Sequence, residues 1–172
     1  MDYAVTAQQM KAIDQNTIKN IGIPSMVLME RAALAVAEAA EHMAKERNLG
    51  KKARILAVCG TGNNGADGVA AGRILVGNPE HDSEEMKTQK QIARNLDLAQ
   101  CTAAEYQEAP CDIILDAVFG IGLGREIGGE YRKVLEMLAS LREQYGTGVI
   151  AVDTPSGIHG TTGEIMGIAL EA

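Results

Sequence analysis

Aromatic side chains are scarce: one phenylalanine (Phe119), four tyrosines and no tryptophan in 172 residues. Recognition of single-stranded nucleic acid stacks bases on successive aromatic platforms, so it is poorly supported. A cationic surplus is missing as well. The net charge is −7, whereas a nucleic-acid backbone calls for clustered Lys and Arg. A phosphate held by backbone amides remains compatible with an acidic chain. The three cysteines, Cys59, Cys101 and Cys111, are odd in number and lack metal-ligand spacing. They point to a reducing compartment and to small buried side chains. No signal peptide and no apolar run of membrane-spanning length occurs, so a cytoplasmic setting is expected. The phosphate-loop pattern G-x-x-x-x-G-K-[ST] is absent too: Gly60 and Gly65 have the spacing of its glycines, but no lysine follows. That argues against a P-loop kinase.

What is present is 46% hydrophobic residues with no long charged run. This suffices for one domain with a real core. Thr6-Ala-Gln-Gln9 has capping-box form and opens a helix with Met10, Ile13 and Thr17 at helical spacing. Gly22 stops that helix, and Pro24 blocks its continuation. Ser25 can cap a second helix over 26–47, where Ala32, Ala33, Ala35, Ala37, Ala39 and Ala40 make a small-residue surface. Two helices ahead of the first strand read as an N-terminal extension.

The core then alternates: strand 54–59, helix 67–75, helix 83–96 with Met86, Ile92 and Leu96 on one side, strand 112–119, helix 130–145, strand 149–153. Continuous apolar strands between helices indicate a parallel sheet covered on both faces. Two features break the pattern. Helix 67–75 runs almost directly into Gly77-Asn-Pro79, leaving only residues 73–76 for the strand a βαβ unit needs. The chain also ends at Ala172, where a doubly wound domain would add strands, so a C-terminal truncation is expected.

Ligands of open parallel sheets sit outside the carboxyl ends of the strands, and here three such ends carry unusual chemistry. The first is Gly60-Thr-Gly-Asn-Asn-Gly-Ala-Asp67. Its glycines let backbone N–H groups converge, and the following helix adds its positive dipole, which makes an anion cradle. A ligand-free turn is the plain alternative, but Asn63, Asn64 and Asp67 side by side favour a site. The second end is Asp116, late in an apolar strand, followed by Gly120-Ile-Gly-Leu-Gly124 and Arg125. This is either a second phosphate cradle with Arg125 supplying charge or a surface loop. Asp116 is either a helix cap or a contact to a cation or substrate. The third end is Asp153-Thr-Pro-Ser-Gly157, whose proline presets the chain so that Asp153 and Ser156 can face one ligand. Asp153, expected to be partly buried, is the acid–base candidate, with a turn cap as its alternative. Asn64, Asp116 and Ser156 are hard oxygen donors suited to an alkali or alkaline-earth ion and not to zinc; the ion stays open. His42 is expected to be solvated, His81 follows a loop proline, and His159, though near Asp153 in sequence, is expected at the surface. Lys87 and Lys90 are expected on an exposed helix face.

In series, these segments resemble the YjeF N-terminal domain family, the NAD(P)H-hydrate epimerases. The family's G-N-N-G-G-D-G stands as Gly62-Asn-Asn-Gly-Ala-Asp-Gly68, and its D-x-x-F-G-x-G-L-x-R as Asp116-Ala-Val-Phe-Gly-Ile-Gly-Leu-Gly-Arg125. Its D-x-P-S-G stands as Asp153-Thr-Pro-Ser-Gly157, and L-M-E-x-A as Leu28-Met-Glu-Arg-Ala32. The resemblance implies a Rossmann-like three-layer αβα sandwich with a mostly parallel sheet, usually a homodimer. It implies epimerisation of the R and S forms of hydrated NADH or NADPH in nicotinamide nucleotide repair. It further implies that Asn63, Asn64, Gly65, Ala66 and Asp67, together with Gly120, Ile121, Gly122, Leu123, Gly124, Arg125, Glu126 and Asp153, contact the hydrated dinucleotide. By the same resemblance Asn64, Asp116 and Ser156 bind potassium, and the implied partner is a fused or separate ADP- or ATP-dependent dehydratase.

Relatives within messenger-RNA decapping scaffolds keep the fold without the activity, so a nucleotide- or RNA-binding dimerisation module is the alternative. The intact Asn63, Asn64, Asp116 and Asp153 speak against it. Three departures stand out. Ala66 replaces a family glycine; it would cost about 1 kcal/mol at a left-handed position and nothing if it begins the helix, which is what we expect. The strand ahead of Leu75-Val-Gly-Asn-Pro79 has almost no room. The family also continues past residue 172, and loss of its last strands would expose a sheet edge.

Overall fold

The computed structural model describes residues 5–50, 53–71, 83–96 and 98–172. Three apolar segments make its centre: β1 (Ile55–Cys59), β2 (Ile113–Ala117) and β3 (Gly148–Ala151). They pair in parallel in the order β1-β2-β3, with Val58 opposite Asp116 and Asp116 opposite Ala151. All three carboxyl ends therefore reach the same edge of the sheet.

Side chains alternate across a strand, and both faces here are apolar. Leu56, Val58, Ile114 and Val149 pack against Leu135, Leu138 and Leu141 of α5 (Gly129–Tyr145). Ala57, Cys59, Ile113, Leu115 and Ala117 pack with Met29, Ala40, Ala66, Val69, Met86 and Ala93 on the other face. Those residues belong to α2 (Ser25–Glu46), α3 (Asn63–Ala71) and α4 (Glu84–Asn95). The result is the expected three-layer αβα sandwich. Small residues let α3 lie close on the sheet: a Cβ added at Gly68 would collide with the Ala117 side chain and come within 2.8 Å of Cys59 Sγ.

The N-terminal extension forms as its capping box predicts. Thr6 caps α1 (Ala7–Asn16), and Thr6 and Gln9 exchange side-chain-to-backbone hydrogen bonds. A π-helical turn, Thr17–Ile21, follows and ends at Gly22 with φ 86°. Ser25 is not the cap of α2. Pro24 holds that position, and the Ser25 hydroxyl donates to Glu85 at 3.0 Å. Of the expected alanine surface only Ala33 and Ala40 are buried, beside Met29.

Two expectations for α4 are overturned. Ser83 caps it, but its buried face is Met86, Gln89, Lys90 and Ala93, the i, i+3, i+4, i+7 set of one helical stripe. Ile92 and Leu96 fall off that stripe and are 39% and 63% exposed. Lys90 is buried, not exposed as expected, since a lysine stem can lie along apolar surface; Lys87 is exposed. Helix α3 begins at Asn63, four residues earlier than expected. The strand sought at 73–76 and His81 lie outside the described residues. Cys59 and Cys111 are buried and Cys101 partly so, and none of the three is in a disulfide. Among the described residues no helix is long and apolar enough to cross a membrane.

Candidate functional site

Because α3 starts at Asn63, the stretch Asn63–Asp67 is the first turn of a helix and not a loop. Its opening N–H groups lack intrahelical partners and face outward with the positive end of the dipole. Ala66 is buried, and its N–H donates to Gly62 O at 3.1 Å. It is not among the residues of positive φ. The alanine is therefore harmless where it stands, as expected.

Asn64 ties the first two strand ends to the third. With its carboxamide oriented to match its neighbours, the oxygen accepts from Gly120 N–H at 3.2 Å and the nitrogen donates to Val152 O at 2.9 Å. Gly120 has to be glycine here. An added Cβ would run into the Asp153 carboxylate and come within 3.1 Å of Asn64 Cγ. Asp153 itself accepts the Ile121 N–H on Oδ2 at 2.7 Å. Its φ is 74°, a left-handed backbone that costs a non-glycine residue about 1–3 kcal/mol. The partly buried position expected for Asp153 is not observed; the residue is exposed. The left-handed turn carries its side chain onto the 120–121 backbone, so an amide and not burial fixes it.

Asp116 and Ser156 form a second, buried cluster. Both are 0% exposed. Ser156 donates to Asp116 twice, from its N–H to Oδ2 at 2.7 Å and from its hydroxyl to Oδ1, while Val118 N–H adds a 3.4 Å contact to Oδ1. The Ser156 hydroxyl oxygen also accepts from Phe119 N–H at 2.9 Å. Burial pushes the Asp116 carboxyl above the usual range, and the Ser156 donors partly oppose it. The two clusters join through Val152, whose N–H donates to Asp116 O at 2.8 Å and whose carbonyl accepts from Asn64. A carboxylate offers about four acceptor positions and an amide oxygen two. Asn64, Asp116 and Ser156 thus keep acceptor capacity for a hard cation. Among the described residues no group of three or more His, Cys, Asp or Glu is placed to hold a metal.

Asp67 is a second acid at this rim whose carboxyl is shifted upward. Burial, then the negative charges of Asp153 and Asp14, push its carboxyl up to about 7. The rest of the second loop spreads outward. Leu123 is buried in the core facing α5, at the floor of the cleft described next. Arg125 and Glu126 line a cleft of about 320 Å³ with Phe119, Ile127 and Tyr131. The rings of Phe119 and Tyr131 lie 4.9 Å apart at 54°. His159 is half-buried, and its Nδ1 accepts from the N–H groups of Thr161 (3.3 Å) and Thr162 (3.1 Å). It holds a turn together. His42 is exposed beside Glu46 at 3.5 Å.

Two groups that the sequence reading did not single out reach this rim from α1. Asp14 acts on Asp67 through its charge, and Lys11 Nζ lies 3.6 Å from where a Gly122 Cβ would stand. The only signal for them is their i, i+3 spacing on a helix whose apolar residues drew attention instead.

Residues 25–172 match the family described as YjeF-related protein N-terminus. A protein named NAD(P)H-hydrate epimerase from Limosilactobacillus fermentum is 40% identical over 183 residues, covering 99% of this chain and 83% of that protein. Proteins of the same name from Limosilactobacillus reuteri and Leuconostoc citreum are 39% and 38% identical, covering 99% and 98% of this chain and 82% and 76% of theirs. Among solved structures, yeast ynu0 (YNL200c) superposes with a TM-score of 0.81 at 19% identity, over 98% of this chain and 77% of that one. At that identity the likeness is one of fold.

Proposed function

The chain belongs to the YjeF-related protein N-terminus family, and on that premise we propose that it interconverts the R and S epimers of hydrated NADH or NADPH, an isomerase of nicotinamide nucleotide repair. The names of its relatives support the activity. One observation carries the assignment to this site: the Asp153 carboxylate is clamped on Ile121 N–H beside Asn64 and Gly120. A rigid acid–base group thus stands between two cradles of backbone N–H groups.

The dinucleotide's pyrophosphate lies against the N–H groups that open α3 and those of Gly122 and Gly124, with Arg125 adding positive charge. The N–H groups of Gly120, Ile121 and Leu123 already donate to Asn64, Asp153 and Gly120 O. The hydrated ring faces Asp153. A proton delivered to the ring hydroxyl lets it leave as water, and the ring nitrogen's electron pair stabilises the resulting cation. Water then returns to either face and gives the proton back, so no net atom is gained or lost. Asp153 exchanges this proton at the hydroxyl oxygen. Asp67, whose carboxyl is pushed up to about 7, is the neighbour able to resupply or take up that same proton.

In this reading Asn64, Asp116 and Ser156 hold a potassium ion. Their all-oxygen chemistry fits a hard cation, which when bound supplies fixed positive charge beside an anionic substrate. The proposal extends to a homodimer, supported by exposed large apolar residues on the first helical segments: Ile13 at 50%, Ile21 at 63%, Val27 at 49% and Leu34 at 54%. It also includes a cytoplasmic setting, in keeping with three cysteines outside any disulfide. An epimerase is useful only beside a stereospecific consumer, which we take to be an ADP- or ATP-dependent dehydratase, fused or separate.

The test is Asp153→Asn, followed by chromatographic separation of the two epimers. Loss of a positioned acid–base group is expected to slow interconversion by about 10²-fold or more with the circular-dichroism spectrum unchanged. A rate within a few-fold of wild type would remove Asp153 from the chemistry.

A further inference from the structure

We propose that α1 is part of the substrate site, with Lys11 as a direct contact to the phosphate-bearing backbone of the bound dinucleotide. The inference rests on the reading above and adds to it a residue that lies outside the stretch matched by the family, which begins at residue 25.

Two contacts and one charge interaction carry it. The Ala7 N–H donates to Thr161 Oγ1 at 3.1 Å, which docks the start of α1 on the turn after Ser156. Lys11 Nζ lies 3.6 Å from the position of a Gly122 Cβ, at the middle of the second glycine loop. Asp14 is close enough for its charge to act on Asp67 in the first turn of α3. Residues 7, 11 and 14 stand at i, i+4 and i+7, so they share one face of the helix. That face spans three of the loops that make the rim.

The chemistry of the face is polar. No residue of α1 is buried, so apolar packing does not explain why the helix lies there. The rim it covers is acidic, with Asp14 and Asp153 both within electrostatic reach of Asp67. A pyrophosphate brought against that field meets like charge, and cations must offset it. Arg125 lies on the outer part of the loop, against the aromatic cleft. Lys11 stands over its middle, where Gly122 leaves the backbone open. A flexible four-carbon stem with three donors suits a phosphate that arrives with the substrate.

The test compares Lys11→Gln with wild type, using Lys45→Gln as a charge-matched control. Lys45 pairs with Glu41 near the end of α2. That end lies by the amino-terminal edge of the sheet, since Arg47 donates there to the Asp112 and Gly146 carbonyls. Two readouts are needed: epimerisation kinetics, and calorimetric binding of ADP-ribose, which carries the pyrophosphate but no hydrated ring. For Lys11→Gln we expect KM and the ADP-ribose Kd to rise about tenfold, near the loss of one charge-assisted contact. The kcat should stay within about twofold, and the salt dependence of binding should become shallower. Lys11→Arg should restore most of the affinity, and Lys45→Gln should match wild type. Wild-type affinity and salt dependence in an active Lys11→Gln protein would overturn the proposal and leave the epimerase reading standing. An inactive wild-type protein that still binds ADP-ribose more tightly than Lys11→Gln would instead sink the epimerase reading and keep Lys11 as a phosphate contact. Equal loss of binding in Lys45→Gln would also overturn the proposal, because the effect would then be one of net charge.

Discussion

Asp116 sits in the middle strand with no exposure at all, an environment that penalises a charge heavily unless donors surround it. Ser156 provides two of those donors, and it also takes the Phe119 N–H. One carboxylate thereby locks the end of β2 to the turn after β3. Asp67 is shifted the same way as Asp116: burial, then the nearby charges of Asp153 and Asp14, push its carboxyl up to about 7. For such a group the folded state binds more protons than the unfolded one between the ordinary aspartate value and 7. Its contribution to stability is therefore whole below about pH 4 and is lost as pH rises through 7. Thermal melts are expected to show a falling Tm from pH 5 to pH 8, with the slope reduced in Asp67→Asn. An equal slope in that variant would show that Asp67 is not the group responsible. The polar residues at strand ends were legible in the sequence, because Asp116 and Asp153 interrupt apolar runs. The shift of Asp67 was not, because Asp14 and Asp153 approach it from distant parts of the chain. The exposure of Asp153 was hidden for a related reason, since nothing local announces its left-handed backbone.

Helix α3 positions the site, as it carries Asn63, Asn64 and Asp67 in its first turn. Its glycines decide how close it lies to the sheet. A glycine-to-alanine change in an open helix position stabilises by about 0.4–1 kcal/mol. At Gly68 the added methyl meets the Ala117 side chain and Cys59 Sγ, both in the packed core. Gly68→Ala is therefore expected to destabilise by about 1–3 kcal/mol in urea unfolding, with weaker dinucleotide binding as the helix shifts. A stabilised variant would contradict the packing described here. Elements with strong local signals were read well. The capping box of α1, the stop at Gly22 and the three apolar strands all depend on neighbours in sequence. The start of α3 was placed late because two asparagines and a glycine are poor helix formers; in the structure they are nonetheless its opening turn. The buried face of α4 is not legible from apolar spacing, because Gln89 and Lys90 belong to it while Ile92 does not. Only the packing of α2 and α3 against that helix settles the matter.

At the scale of the whole molecule, parallel pairing brings three strand ends, separated by dozens of residues, to one edge. Asn64, Gly120 and Asp153 then touch, and Val152 links them to Asp116 and Ser156. The rule that ligands sit at such an edge made this convergence readable in advance. The cover contributed by α1 was not, since the rule concerns the sheet and not an arm that precedes it. The measurement that bears most directly on the account is a crystal structure of the protein soaked with hydrated NADH in potassium buffer. The account predicts the hydrated ring against Asp153, the pyrophosphate along Gly120–Gly124, and a cation among Asn64, Asp116 and Ser156. A dinucleotide bound elsewhere, with the Asp153 rim left empty, would contradict it.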